Sequence, residues 1–202
     1  MNLIERVKNI LLTPKTEWPK INNESGTLAS LLPTYSLPLA AIGSVGFIIG
    51  YGLIGIRGFT SIKVGLIMAA LLLVCVIVAV VAASFIADAL ATSLGAQKDI
   101  NKSTQWVVYG LTPLYIALFL GIIPSVGGGI LWLIIIAGFA FSGYLMFLGA
   151  PELKKTAPDK TVAYTAAVVV ASIVIFIIME KIGEKVLYEI MFGSRRTYRI
   201  NY

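Results

Sequence analysis

Residues 64–87 read VGLIMAALLLVCVIVAVVAASFIA, an unbroken run without a charged side chain. The hydrocarbon core of a bilayer is ~30 Å thick and needs roughly 20 apolar residues in a spanning helix, so this run is long enough to cross. Its apolarity is continuous and not alternating, which speaks against a membrane β-strand, whereas a helix satisfies its own backbone groups where no water reaches them. Similar runs occupy 31–56, 106–123, 126–148 and 162–179, with Arg57, Lys63, Lys98, Lys102, Lys154, Lys155 and Lys160 confined to the connections. Composition agrees: 58% of the 202 residues are hydrophobic and 13% charged, a make-up that in a soluble domain would expose large apolar patches. The expected fold class is all-α, a polytopic integral membrane protein with five transmembrane helices. Its divisions are an N-terminal cytoplasmic amphipathic segment (1–28), a five-helix membrane domain (29–182) and a basic C-terminal tail (183–202).

NLIERVKNILLTP, residues 2–14, places Leu3, Ile4, Val7, Ile10 and Leu11 at helical spacing, with Glu5, Arg6, Lys8 and Asn9 elsewhere and Pro14 ending the run. The pattern predicts a short helix lying along the membrane surface, with Trp18 and Lys20 as interfacial anchors at headgroup level. A partner-docking arm is the alternative reading. Charges interrupt the segment and no small-residue cleavage site follows an apolar core, so no cleavable signal is expected. In the first run Gly46 and Gly50 stand four apart, a spacing that lets helices approach closely in lipid, within the chain or in a homo-oligomer. PSVGGG, 124–129, is short enough to force an antiparallel hairpin. With a cytoplasmic N-terminus, nine Lys and Arg fall on inner segments and two on outer loops, the sense of the positive-inside bias. Five spans then put the tail outside, although it carries Lys181, Lys185, Arg195, Arg196 and Arg199; early segments weigh more than late ones in setting orientation.

The sequence has no histidine, which removes the commonest general base and metal ligand. It holds no phosphate-binding glycine loop, HExxH or GxSxG element, so no catalytic residue, metal or cofactor is expected. Cys75, the single cysteine, forms no intrachain disulfide and reads as a packing residue. The net charge of +6 is spread beside the apolar runs, which suits a lipid bilayer with anionic headgroups and not nucleic acid. Asp88, four residues after Ser84, is the acid nearest membrane depth. Such a residue is a functional-site candidate by default, with Lys98, Lys102 or the Tyr109 hydroxyl as its partner; the alternative is an interfacial residue facing headgroups. In YGLTP, 109–113, Pro113 lacks an N–H and frees the carbonyl of Tyr109, Gly110 permits a bend or a close neighbour, and Thr112 offers its hydroxyl to the freed carbonyl. The motif predicts a kink.

NILLTPKTEWPKI (9–21), GAQKDINKSTQWVVYGLTPLYIALFLGIIP (95–124) and YLMFLGAPEL (144–153) resemble, in their order and spacing, the Yip family of Ypt/Rab GTPase-interacting proteins, Yip-one domain, bacterial type. Pro14 and Trp18 match its N-terminal segment, Gly95 and Lys98 its basic loop, and Tyr109 and Pro113 its Tyr-x-x-x-Pro helix. The resemblance implies five membrane helices with a cytoplasmic N-terminus. Its eukaryotic members act as adaptors in vesicle traffic that bind lipid-modified Rab GTPases and one another, but their acidic Asp-Leu-Tyr-Gly-Pro motif is replaced here by ESGTLASLLPTYSLP, 24–38. Compact loops and a short basic N-terminus suggest a bacterial chain. The expected function is that of a non-enzymatic scaffold or adaptor in the bacterial cytoplasmic (inner) membrane. It would recruit a membrane protein partner through the amphipathic arm, Lys98, Lys102 and the kinked helix. The alternative is transport of a small solute or ion, as a homodimer, with Asp88 as ligand.

Overall fold

The computed structural model describes residues 2–55, 60–119 and 128–190, whose regular structure is entirely helical. Arg57, the PSVGGG turn up to residue 127, and the tail charges Arg195, Arg196 and Arg199 lie outside the described residues.

Helix α1 (Leu3–Leu12) starts at Asn2, whose side chain accepts the Ile4 N–H at 3.1 Å, and stops at Thr13. Pro14 opens α2 (Pro14–Asn22), in a first turn where its missing N–H has no intrahelical partner to lose. A reciprocal capping box between Thr27 and Ser30 starts α3 (Leu28–Leu31), which runs on through α4 (Leu37–Ile49) as one 27-residue rod, Leu28–Ile54. Pro33 and Pro38 each withhold an N–H, and between them the rod widens to i+5 bonding, Leu37 N–H to Leu32 O. A second wide turn ends at Gly55, whose φ of 83° suits glycine alone. The chain continues through α5 (Ile62–Ala91), α6 (Ile100–Gly110), α7 (Thr112–Phe119), α8 (Gly128–Lys154) and α9 (Pro158–Tyr188).

Among the described residues, 4 helices are long and apolar enough to cross a membrane: Leu28–Ile54, Ile62–Leu94, Trp132–Lys154 and Pro158–Tyr188. More than half of each of Val74, Leu133 and Val170 is exposed along them, as expected of side chains whose solvent is lipid. The protein is a membrane protein. The run expected as a further span, 106–123, falls on α6 and α7, of 11 and 8 residues, which part at Leu111. Neither described half is long enough to cross alone.

Chain direction follows from which ends meet. Asp88 near the end of α5 and Lys154 at the end of α8 approach to 3.8 Å, so the two helices run the same way. The start of α9 lies there too, where the Tyr164 hydroxyl donates to the Ala87 carbonyl at 2.7 Å. The largest fully buried side chains, Trp18, Trp106, Tyr164 and Lys154 among them, gather at this lysine-rich end. At the opposite end the rod and α5 cross closely: a Cβ on Gly65 would lie 2.9 Å from the Ile48 carbonyl oxygen and 3.2 Å from Gly52 Cα. Gly46 and Gly50 are buried on the same rod.

Candidate functional site

The lysine-rich end is organised from the first turn of α6. Gly95, in the left-handed region with φ 70°, turns the chain out of α5, and Asp99 caps α6 by accepting the N–H groups of Asn101 at 2.9 Å and Lys102 at 3.1 Å. Successive side chains then reach different neighbours. Lys102 Nζ donates to the Asn22 carbonyl at 2.5 Å, and Gln105 Nε2 donates to the carbonyls of Ile21 at 3.2 Å and Glu24 at 3.0 Å. Burial lowers the pKa of Lys102, with the nearby carboxylates of Asp99 and Glu24 opposing that shift. Trp106 stacks on Tyr164 with ring centroids 4.9 Å apart and donates its N–H to the Met146 carbonyl at 2.8 Å. Thus α6 clamps the end of α2 on one side and packs on α8 and α9 on the other.

The clamped segment is a folded arm. Arg6, expected away from the apolar face of α1, is buried with Ile10. It donates to Glu17 Oε1 at 2.7 Å and to the Glu24 carboxylate, and its guanidinium sits 5.3 Å from the centre of the Tyr109 ring. The reason is the carboxylates brought by α2 and the loop after it: a neutralised guanidinium can enter where a lone one cannot. Ile4 and Leu12, in contrast, are 75% and 70% exposed. Trp18 needs a second correction. Expected at headgroup level, it is 0% exposed, because Gly149 on α8 leaves room for it; a Cβ there would lie 2.5 Å from the indole. Its ring is core packing. Lys20 stays 61% exposed, 3.3 Å from Glu17.

Asp88 takes neither Lys98 nor Lys102 nor Tyr109 as its partner. Ser103 donates to its Oδ1 at 3.2 Å, and Lys154 Nζ donates to Ser103 Oγ at 2.5 Å and to the Asp99 carbonyl at 3.3 Å. Lys98 is exposed. A serine and a lysine at such a distance are the elements of a nucleophile and its base, yet both are fully buried, and neither lines the polar cavity beside Arg6 and Tyr35 or the apolar one between α5 and α9. The Asp88 carboxylate already draws on both groups, and the arrangement ties α5, α6 and α8 together. Among the described residues no group of three or more His, Cys, Asp or Glu side chains is placed to hold a metal ion.

At the kink, the carbonyl of Tyr109 accepts the Thr112 hydroxyl at 2.6 Å. A hydroxyl has one proton to give, so in the 2.7 Å contact between Tyr35 and Thr112 the phenol is the donor. The Tyr35 ring meets Tyr109 edge-on, with centroids 4.8 Å apart. Gly110 admits Met146, whose side chain a Cβ there would strike, and Pro113 is buried. Between Arg6, Glu24, Tyr35 and Tyr109 a small polar cavity of about 130 Å³ remains. Thr112→Val strands the Tyr35 phenol and leaves the Tyr109 carbonyl with only the Leu111 N–H that it shares with the Val107 carbonyl, with an expected loss of about 1–3 kcal/mol. Tyr35→Phe leaves Thr112 bonded and should cost less. Thermal unfolding of both variants in detergent checks the order, and an unchanged midpoint for Thr112→Val would remove the hydroxyl from the account of the kink.

Arg6, Glu17, Tyr35, Ser103, Lys154 and Tyr164 all belong to this site without having been singled out from the sequence as its members. No curated protein and no solved structure matches the chain. The family model described as Yip1 domain matches residues 8–179, a length that takes in the docked arm from Lys8 onward together with the helices it docks on, and the chain belongs to that family of membrane proteins.

Proposed function

We propose that the chain is a non-enzymatic membrane scaffold or adaptor, a Yip protein of the bacterial type in the cytoplasmic (inner) membrane. In this reading its lysine-rich end and N-terminus face the cytoplasm and its C-terminus lies outside. The parallel course of α5 and α8 supports five crossings, because the chain between them must return through the bilayer and α6 with α7 is the helical segment available to do so. The observation that carries the adaptor role is the outward face of α1. Ile4, Lys8 and Leu12 are exposed at four-residue intervals on a helix whose other side is fixed by Arg6 and Ile10. Large apolar side chains held out on a rigid support make a docking surface for a helix of another membrane protein.

Photo-crosslinking in native membranes tests the proposal, with the reactive group placed at Ile4 and, separately, at Leu12, followed by mass identification. One recurrent protein recovered from both positions is the expected result. Lipid adducts alone would overturn the adaptor reading and leave α1 as an interfacial helix on anionic headgroups. Transport through Asp88 has less to support it, since that carboxylate is occupied by Ser103 and Lys154 and lines neither cavity.

A further inference from the structure

Away from the lysine-rich end, the Leu28–Ile54 rod, through Phe47 and Tyr51, and α5, α7, α8 and α9 leave a partly enclosed cavity of about 310 Å³. On α5 its lining runs from Met68 to Ala83 and on α9 from Ser172 to Leu187, in each case about 22 Å at the rise of an α-helix. That exceeds the ~15 Å that one leaflet contributes to the hydrocarbon core. The wall is mostly apolar, and the hydroxyls of Tyr115 and Ser172 on it are already bonded to Ser36 and the Val168 carbonyl. Among the described residues lining it the charged ones are Glu180 and Glu184, and Lys181 bridges them, with Nζ 3.3 Å from Glu180 and 2.7 Å from Glu184. A long, largely apolar slot whose carboxylates lie toward the Met68 end of α5 is the form of an amphiphile site.

We propose that this cavity binds one aminophospholipid of the surrounding bilayer, phosphatidylethanolamine, with an acyl chain in the slot and its ammonium on the carboxylates of Glu180 and Glu184. The charge pattern selects that headgroup. A primary ammonium gives charge-assisted hydrogen bonds to carboxylates, and Lys181 stands beside them to take the phosphate. Phosphatidylglycerol brings a phosphate without an amine and meets two acids. Phosphatidylcholine has a quaternary nitrogen with no proton to donate. The proposal does not rest on the partner of α1, which sits at the other end of the molecule.

The test is native mass spectrometry of the full chain, purified in detergent and offered equimolar phosphatidylethanolamine, phosphatidylcholine and phosphatidylglycerol. One retained phosphatidylethanolamine per chain is expected, favoured over phosphatidylglycerol by about tenfold, the equivalent of ~1.4 kcal/mol. Glu180→Gln with Glu184→Gln should reduce that preference to near parity. Ala79→Phe, which fills the slot from α5, should abolish retention whatever the headgroup, with helicity unchanged. Should that variant fail to fold, alkylating Cys75 of the natural chain with a bulky maleimide blocks the same slot, since it lines the cavity and is the single cysteine. Parity of the three lipids on the natural chain, a preference for phosphatidylglycerol, retention that survives a filled slot, or lipid-free dimers in place of the lipid complex would each overturn the proposal.

Discussion

Arg6→Met is expected to free the N-terminal arm and to lower stability by about 3–5 kcal/mol, the usual cost of leaving one member of a buried ion pair behind. The arginine is 4% exposed and Glu17 is 0% exposed, whereas Glu24, at 44%, can turn to solvent. The loss therefore falls on Glu17, which keeps only the exposed Lys20 at 3.3 Å. Removing both charges should hurt less than removing the arginine, because Arg6→Met with Glu17→Met replaces a buried pair by apolar volume. Trypsin cleavage at Lys8 and Lys15 in detergent gives the local readout and thermal unfolding the global one. Both should move furthest in the single variant. If the single variant is as resistant as the natural chain, the arm is held by Trp18 and Ile10 alone and the ion pairs are incidental.

That network marks where sequence reading stops. The kink was legible because its cause is local: Pro113 withholds an N–H and Thr112 is within reach of the orphaned carbonyl. The apolar spans were legible for the same reason, as length and hydropathy belong to each segment alone. Arg6 was not, since the carboxylates that let it be buried come 11 and 18 residues later, in another helix and a loop. Trp18 depends on a glycine in α8, far along the chain. Lys154 was missed at a helix end. The fourth span was expected to finish at 148, before Gly149 and Pro151, but α8 continues to Lys154 with Pro151 inside it. Once the helix is carried through, Leu145, Met146, Ala150, Leu153 and Lys154 share one buried face. The lysine was on that face in the sequence, hidden by an early stop.

The two members of the Asp88–Lys154 pair should not respond alike. Asp88→Asn leaves a fully buried ammonium held by Ser103 and the Asp99 carbonyl, with its ion-pair partner gone and only the more distant Asp99 carboxylate left to offset the charge. Lys154→Met leaves a carboxylate that still accepts from Ser103 and whose side chain is 13% exposed. Charge without a partner costs more the less water reaches it. The asparagine variant is therefore expected to lose about 3–5 kcal/mol and the methionine variant distinctly less, with partial recovery in the double variant. Unfolding midpoints of the three, in detergent and after normal membrane insertion, measure this order. Equal and small losses would mean that the pair is solvated in the membrane. A fold left intact by Asp88→Asn together with a lost cation or proton flux in proteoliposomes would return Asp88 to the transport reading, since a structural tie fails through stability before it fails through flux.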